Sequence, residues 1–310
     1  MARAEITNDL VWSHSRAKLF RGCKRAYWFT YYGSWGGWSP EVDPRTRALY
    51  LEKKLTARPM WVGTVVHRMA EIGVNRARRG QPEDLVAARA WARRTAREDV
   101  DGSRSGAWTE RPARRVGFRE HYYDEPVTDA DWDAAIDEVD RQVVALHQQR
   151  LFRRLLDVPE RIREVEQLQR FRVGDAEVYV ALDVLVDDGR GGVVILDWKT
   201  GNAHSEEDIS AQLGVYGLYA TDVLGVAPDR IHARHVNLRL DAETTHPVGA
   251  NEIDAARTTI AADVAAMRAQ LVDVPRNEAS EDDYPKLPEG ARECRYCNFR
   301  RTCGRSGPTP

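Results

Sequence analysis

Two aspartates and one lysine in a short stretch carry the most chemistry this sequence offers. The stretch reads Tyr179-Val-Ala-Leu-Asp183-Val-Leu-Val-Asp-Asp-Gly-Arg-Gly-Gly-Val-Val-Ile-Leu-Asp197-Trp198-Lys199. Two runs rich in β-branched residues flank Gly189-Arg190-Gly191-Gly192, the pattern of a hairpin. Asp183 and Asp197 stand seven residues either side of Arg190. A symmetric hairpin therefore sets them opposite each other, with Cβ atoms about 4.5–5.5 Å apart. Lys199 shares the strand face of Asp197. Like charges so placed destabilise a sheet, and burying them is costlier still. A divalent cation removes the conflict, and hard oxygen ligands suit Mg²⁺ or Mn²⁺. The lysine can then orient or deprotonate a water, or stabilise developing negative charge. The competing explanation is an exposed face with a Lys–Asp pair, and the apolar flanks argue against it.

The cysteines form a second constellation. Cys294, Cys297 and Cys303 close the chain in C-x2-C-x5-C spacing, and Cys23 lies about 270 residues earlier. Three clustered thiols signal a metal, and four thiolates suffice for one zinc ion or one [4Fe–4S] cluster. Four cysteines in 310 residues are too few for a disulfide-stapled secreted scaffold. The first residues lack an apolar signal region, and no apolar run has the length of a membrane span. These features predict a cytoplasmic protein, with no membrane partner and reduced thiols.

Helices and strands must position these groups. The periodicity predicts one helix over 13–32 with Phe20, Cys23, Tyr27 and Tyr31 as its stripe, a loop over 33–59, and a helix over 61–79. Pro82 is read as opening a further helix to about residue 98, and 129–156 as a single long amphipathic helix. Strands are expected at 162–173, 176–186, 192–198 and 231–240. Helices are expected at 205–224, with Ser205 and Asp208 in capping spacing, and at 251–272. A polar linker then spans 273–290. The chain divides on this reading into an N-terminal helix and loop (1–60), a helical region (61–160), a core of sheet and helices (161–272), and a linker with the cysteine segment (273–310).

Charge is uneven along the chain. Residues 1–120 hold 24 Lys/Arg against 13 Asp/Glu, and residues 121–250 hold 13 against 25, within a net charge of −2. Bulk positive charge is thus excluded as the means of gripping nucleic acid, while a local basic face is not. Ordinary solvated helix faces would give the same asymmetry. Only six of the 46 basic residues are lysines, and one of them is Lys199.

Asp183 on one strand and Asp197-Trp198-Lys199 on the next resemble the signature of the PD-(D/E)XK nuclease superfamily, specifically its RecB-like branch. Gly63-Thr-Val-Val-His67 resembles that branch's G-x-x-x-H element, with Glu71 on the same helix face, and Gln212-Leu-Gly-Val-Tyr216 resembles its Q-x-x-x-Y element. Glu166 resembles a glutamate that precedes the aspartate strand, with Glu164 as the alternative. Cys23 lies between a Ser13-His-Ser15 helix start and the aromatic run Tyr27-Trp-Phe-Thr-Tyr31-Tyr32. With the C-terminal trio it is similar to the iron–sulfur staple of CRISPR-associated four-cysteine exonucleases.

The resemblance implies an α/β fold: a restriction-endonuclease-like core, with a mixed central sheet flanked by helices, and N- and C-terminal segments joined by a four-cysteine metal cluster. It implies a Mn or Mg site formed by His67, Asp183, Asp197 and the Trp198 carbonyl. Lys199 would be the catalytic lysine, supported by Gln212 and Tyr216. Cys23, Cys294, Cys297 and Cys303 would hold [4Fe–4S], with Zn as the rival. The implied activity is a deoxyribonuclease, an exonuclease on single-stranded DNA or duplex ends, working with recombination, CRISPR-adaptation or phage replication proteins. Arginines of the first helices and of the C-terminal segment would track phosphates. Trp28, Tyr31 and Tyr32 would stack on bases or pack around the cluster helix. Two other classes remain, a non-catalytic DNA-binding subunit and a redox-sensing cluster protein. The second predicts nothing about the acidic hairpin.

Overall fold

The computed structural model describes residues 7–39, 41–201 and 206–305. The chain opens with β1 (Val11–Trp12), α1 (His14–Gly22), α2 (Lys24–Trp28), one π-helical turn (Phe29–Gly33) and α3 (Pro44–Lys54). There follow β2 (Leu55–Thr56), α4 (Arg58–Arg78), α5 (Leu85–Arg104), β3 (Gly117–Phe118), α6 (Arg119–Tyr122), α7 (Asp129–Gln148) and α8 (Arg150–Asp157). The second half holds β4 (Ile162–Val173), β5 (Ala176–Asp187), β6 (Val193–Lys199), α9 (Glu206–Asp222), β7 (Ile231–Asn237), β8 (Ala242–His246), α10 (Ala250–Arg268) and α11 (Arg300–Cys303).

Six strands form one mixed sheet. Its order is β1-β5-β6-β7-β8, with β4 also paired to β5. β4, β5 and β6 form an antiparallel meander, and β7 runs parallel to β6 through the crossover helix α9. Adjacent residues of β6 serve opposite cores. Val193 and Ile195 belong to a core with α1, α9 and α10, whereas Leu196 and Trp198 belong to one with α4, α5, α7 and α8. The sheet is therefore covered on both faces, and the run Val-Val-Ile-Leu reads as continuous rather than alternating. Among the described residues no helix is long and apolar enough to cross a membrane.

The structure corrects several boundaries. Residues 13–32 are not one helix: Cys23 is extended (φ −156°, ψ 110°), ends α1, and starts α2 by accepting the Ala26 N–H at its thiol. Residues 33–59 are not all loop, since Asp43 caps α3 by accepting from the Arg45 and Thr46 amides, with Pro44 in its first turn. Pro82 precedes α5 without opening it, and Asp84 provides that cap. The 129–156 helix is two, broken at Gln149, whose side chain caps the second. Ser205 and Pro40 lie outside the described residues.

Candidate metal and catalytic centre

The centre forms where β4, β5 and β6 meet α4 and α9. α4 brings His67. One turn earlier, a Cβ on Gly63 would stand 2.7 Å from Thr200 Oγ1, so this helix approaches the end of β6 as closely as a bare backbone permits. On β4 the ladder pairs Val165 with Val184 and Gln167 with Leu182. Glu166, between them, falls beside Asp183. Its backbone is left-handed (φ 47°), a costly state for a residue with a side chain. His67 Nδ1 lies 3.0 Å from Glu166 Oε1 and 3.5 Å from Asp183 Oδ1. Donor atoms of these three residues all fall within 4.8 Å of one another.

Asp183 connects this trio to β6. The last antiparallel pair of the hairpin is Val184–Leu196. One step on, where the register sets Asp183 against Asp197, Asp183 Oδ2 accepts the Trp198 N–H at 2.7 Å. Beyond it, Lys199 Nζ donates to Asp197 at 2.9 Å and to Gln212 Oε1 at 3.3 Å, and Gln212 Nε2 donates to the Tyr216 hydroxyl at 2.6 Å. An ammonium can only donate, so Gln212 presents its oxygen to the lysine and its amide nitrogen to the tyrosine.

The electrostatics favour positive charge at the trio. Burial alone would lower the His67 pKa, yet Asp183 and Glu166 hold it well above the ordinary imidazole value. Burial alone would raise Asp183, but the His67 and Lys199 charges leave it below the usual carboxylate range. Burial and the neighbouring Asp183 charge raise Asp197 to about 6 in spite of Lys199. Two carboxylates and an imidazole that together hold a positive charge are a donor set suited to a divalent cation.

The structure thus brings His67 and Asp183 together with Glu166. It gathers Asp197, Lys199, Gln212 and Tyr216 into a second, adjoining group, and Trp198 joins the two through its amide. Asp197 Oδ2 bonds Lys199 and is not one of the trio. Glu164 is turned elsewhere and accepts from the Tyr219 hydroxyl at 2.6 Å. Glu71 lines an open cleft of about 530 Å³ with Met60, Thr64, His67, Arg68 and Glu166. A cleft of about 570 Å³ at the turn end of the hairpin, lined by Arg154 and Arg190, contains none of these groups. Sequence reasoning missed His235, which pairs in register with Asp197 and places Nε2 3.7 Å from its carboxylate. Only the parallel register of β7 locates it.

All four cysteines are free thiols and line one small cavity with Ala26, Phe29 and Phe299. Asn298 Nδ2 donates to the Leu55 carbonyl at 2.7 Å and Tyr123 donates to the Asn298 carbonyl at 2.6 Å, fixing the trio's loop to the N-terminal half. Burial and the other thiols raise Cys297 to about 11. The expected base-stacking aromatics are engaged within the protein. Trp28 Nε1 donates to the Ala279 carbonyl, Tyr32 to Asn277, and Tyr31 carries the Arg16 guanidinium on its ring. Several expected phosphate-tracking arginines are likewise paired: Arg21 with Asp263, Arg25 with Glu281 and Arg300 with Glu125.

No curated protein matches the chain at a significant level. A solved structure titled "Crystal structure of SSO0001" is similar at 14% identity over 77% of this chain and 94% of that one, with a TM-score of 0.31, too low to bear on the site. The family model of the PD-(D/E)XK nuclease superfamily matches residues 11–304, a span that holds every group described above. The chain belongs to the PD-(D/E)XK nuclease superfamily, whose members are typically metal-dependent nucleases acting on DNA.

Proposed function

We propose that this chain is a deoxyribonuclease of the RecB-like four-cysteine branch, acting as an exonuclease on single-stranded DNA or duplex ends. The observation that carries the reading is one continuous polar system, from His67, Glu166 and Asp183 through the Trp198 N–H to Asp197, Lys199 and Gln212. His67, Glu166 and Asp183, with Asp197 and the Trp198 carbonyl, would hold Mn or Mg. Such a cation would lower the pKa of a bound water and place positive charge facing the phosphate. Lys199, held by Asp197 and Gln212, orients the attacking water and donates to the oxygen that gains negative charge. Tyr216 keeps the Gln212 amide in the orientation the lysine needs.

Cys23, Cys294, Cys297 and Cys303 are proposed ligands of a [4Fe–4S] cluster that clasps the two ends of the chain. Tetrahedral zinc, with Zn–S bonds of about 2.3 Å, brings thiolates within about 3.8 Å of each other. The same four thiolates would equally suit zinc, which is the alternative that iron and sulfide analysis separates from the cluster. The reading is of a cytoplasmic enzyme, with partners in recombination, CRISPR adaptation or phage replication.

The test is digestion of end-labelled DNA with Mn²⁺, with free and blocked ends, by the wild type and Lys199→Ala. The expected result is a ladder from free ends that the variant does not produce. No cleavage by the metallated wild type overturns the enzyme reading, and a ladder indifferent to blocked ends makes it an endonuclease. Iron and sulfide analysis with a visible spectrum tests the cluster; a colourless zinc protein purified anaerobically overturns it.

A further inference from the structure

Four cations of the first three helices are answered by carboxylates. Lys18 meets Asp208, Arg21 meets Asp263, and Arg25 and Arg45 share Glu281. Arg16, Lys24, Arg47, Lys53 and Lys54 form no ion pair among the described residues; Arg47 donates to the Gly37 and Thr109 carbonyls and Lys24 lies over the Phe20 ring, whereas Arg16 and Lys53 share the Tyr31 ring. Arg16 is 9% exposed, its terminal nitrogen donates to the Val11 carbonyl at 2.6 Å, and its buried Nε has no hydrogen-bond partner. Its guanidinium carbon lies 3.7 Å from the centre of the Tyr31 ring, and Lys53 Nζ lies 5.6 Å from the same centre. Lys54 Nζ sits 5.5 Å from the Tyr50 ring. Among the described residues neither lysine forms a hydrogen bond or an ion pair.

This arrangement works against the fold as it stands. Burial, then the Lys54 and Arg16 charges, pull the Lys53 ammonium down to about 8, and no acidic group opposes them. The C-terminal end of α3 favours Lys53 and Lys54 but does not account for Arg16, which belongs to α1. The aromatic faces offset part of the charge. An anion between the two helices would offset the rest.

We propose that Arg16 and Lys53 on the Tyr31 ring, with Lys54 next to them at the end of α3, form a phosphate-binding site that holds a DNA strand apart from the hydrolytic groups. The assignment rests on the nuclease reading for its ligand, and on the unanswered cations for its place. The phosphate is either an internal phosphodiester or a phosphorylated strand end.

The experiment measures fluorescence anisotropy of labelled single strands of one sequence, ending in phosphate or in hydroxyl, over a range of salt. Lys53→Gln and Lys54→Gln are compared in a Lys199→Ala background, so the strand is not cut. Both substitutions are at half-exposed positions at the end of α3, and circular dichroism checks the fold. The expected result is several-fold weaker binding, with a slope of log K against log salt smaller by about 0.7 for each phosphate that is no longer neutralised. Equal weakening with either end assigns an internal phosphodiester; weakening confined to phosphorylated strands assigns an end. Unchanged affinity and slope overturn the site while a cleaving wild type keeps the nuclease reading. A wild type that binds but does not cleave overturns that reading and leaves the site. A chain that binds no DNA overturns both.

Discussion

The carboxylate centre and the thiol cavity are built in opposite ways. In the first, opposite charges answer one another within a few ångströms: His67 faces Glu166 and Asp183, and Lys199 faces Asp197. Its members come from three adjacent strands and the helices that cover them, so sheet register sets the geometry. In the thiol cavity like groups meet, and burial together with the other thiols raises Cys297 and Cys303. Its members come from both ends of the chain. They are held by side-chain bonds such as Arg25 to the Tyr284 carbonyl and Arg119 to the Tyr296 carbonyl, by the Arg25–Glu281 and Arg300–Glu125 ion pairs, and by Phe29 packed on Phe299. The fold alone holds the first site in shape, whereas on the proposed reading the second would gain its stability from the group its four thiols would hold. Loss of a group from the first should therefore cost activity at constant stability, and loss from the second should cost stability first.

Lys199→Ala provides the largest contrast. Single-turnover cleavage with Mn²⁺ should fall about 10²–10³-fold, the usual loss of one preorganised charge-stabilising donor. The melting temperature should stay within a few degrees of wild type. A collapse of the melting temperature would break the comparison, because the centre would then be holding the fold. Cys297→Ser should do the reverse and destabilise the chain by about 2–5 kcal/mol, the range for losing a native cross-link between distant residues. Limited proteolysis should then release the segment after residue 273 while the sheet core survives. A variant with unchanged proteolysis but no cleavage would show that the thiols serve chemistry instead.

Legibility divides along the same line. The hairpin and its facing aspartates were readable because two runs rich in β-branched residues flank a glycine-rich turn that fixes register locally. His67 was legible only through the resemblance of Gly63-Thr-Val-Val-His67 to a known element, and the structure shows why a glycine suits position 63, where a Cβ would stand 2.7 Å from Thr200 Oγ1. Glu164 and Glu166 were not separable, since residues two apart share a strand face. What separates them is the left-handed backbone at Glu166 and the register shift between Ile162 and Glu164, neither of which has a residue signature. α3 escaped because its buried residues, Leu49, Tyr50 and Glu52, make no apolar stripe, although Asp43-Pro44 marks its start. The aromatic run after Cys23 has a composition suited to either stacking or packing. Only the bonds of Trp28 and Tyr32 to residues 277–279, far along the chain, decide for packing.

The two glutamates sharpen the picture of the first site. Glu166→Gln removes a charged oxygen from the trio and should weaken Mn²⁺ binding about 10–100-fold by calorimetric titration, the scale of losing a group that tunes a metal site. Glu164→Gln should leave Mn²⁺ binding unchanged and destabilise by about 1 kcal/mol through its bond to Tyr219. Equal effects from the two would mean that the register around Glu166 does not set the site.

Gly63→Ala should have the smallest effect and tests most finely whether fold geometry alone sets the centre. The added methyl would lie 2.7 Å from Thr200 Oγ1 and 3.9 Å from its Cβ, so the conflict is with one hydroxyl rather than with backbone. Either Thr200 turns or α4 retreats by a few tenths of an ångström, and His67, one turn along, retreats with it. Alanine favours a helix interior over glycine by up to about 1 kcal/mol, so the melting temperature should hold or rise. Cleavage should nevertheless fall about 10-fold, since small misplacements of a positioned group are felt strongly in rate. Thr200→Ala in the same chain removes the hydroxyl and should restore most of the rate. Recovery would show that the distance between α4 and the end of β6, and no property of residue 63 itself, limits the centre. Failure to recover would mean that α4 is held back by other contacts.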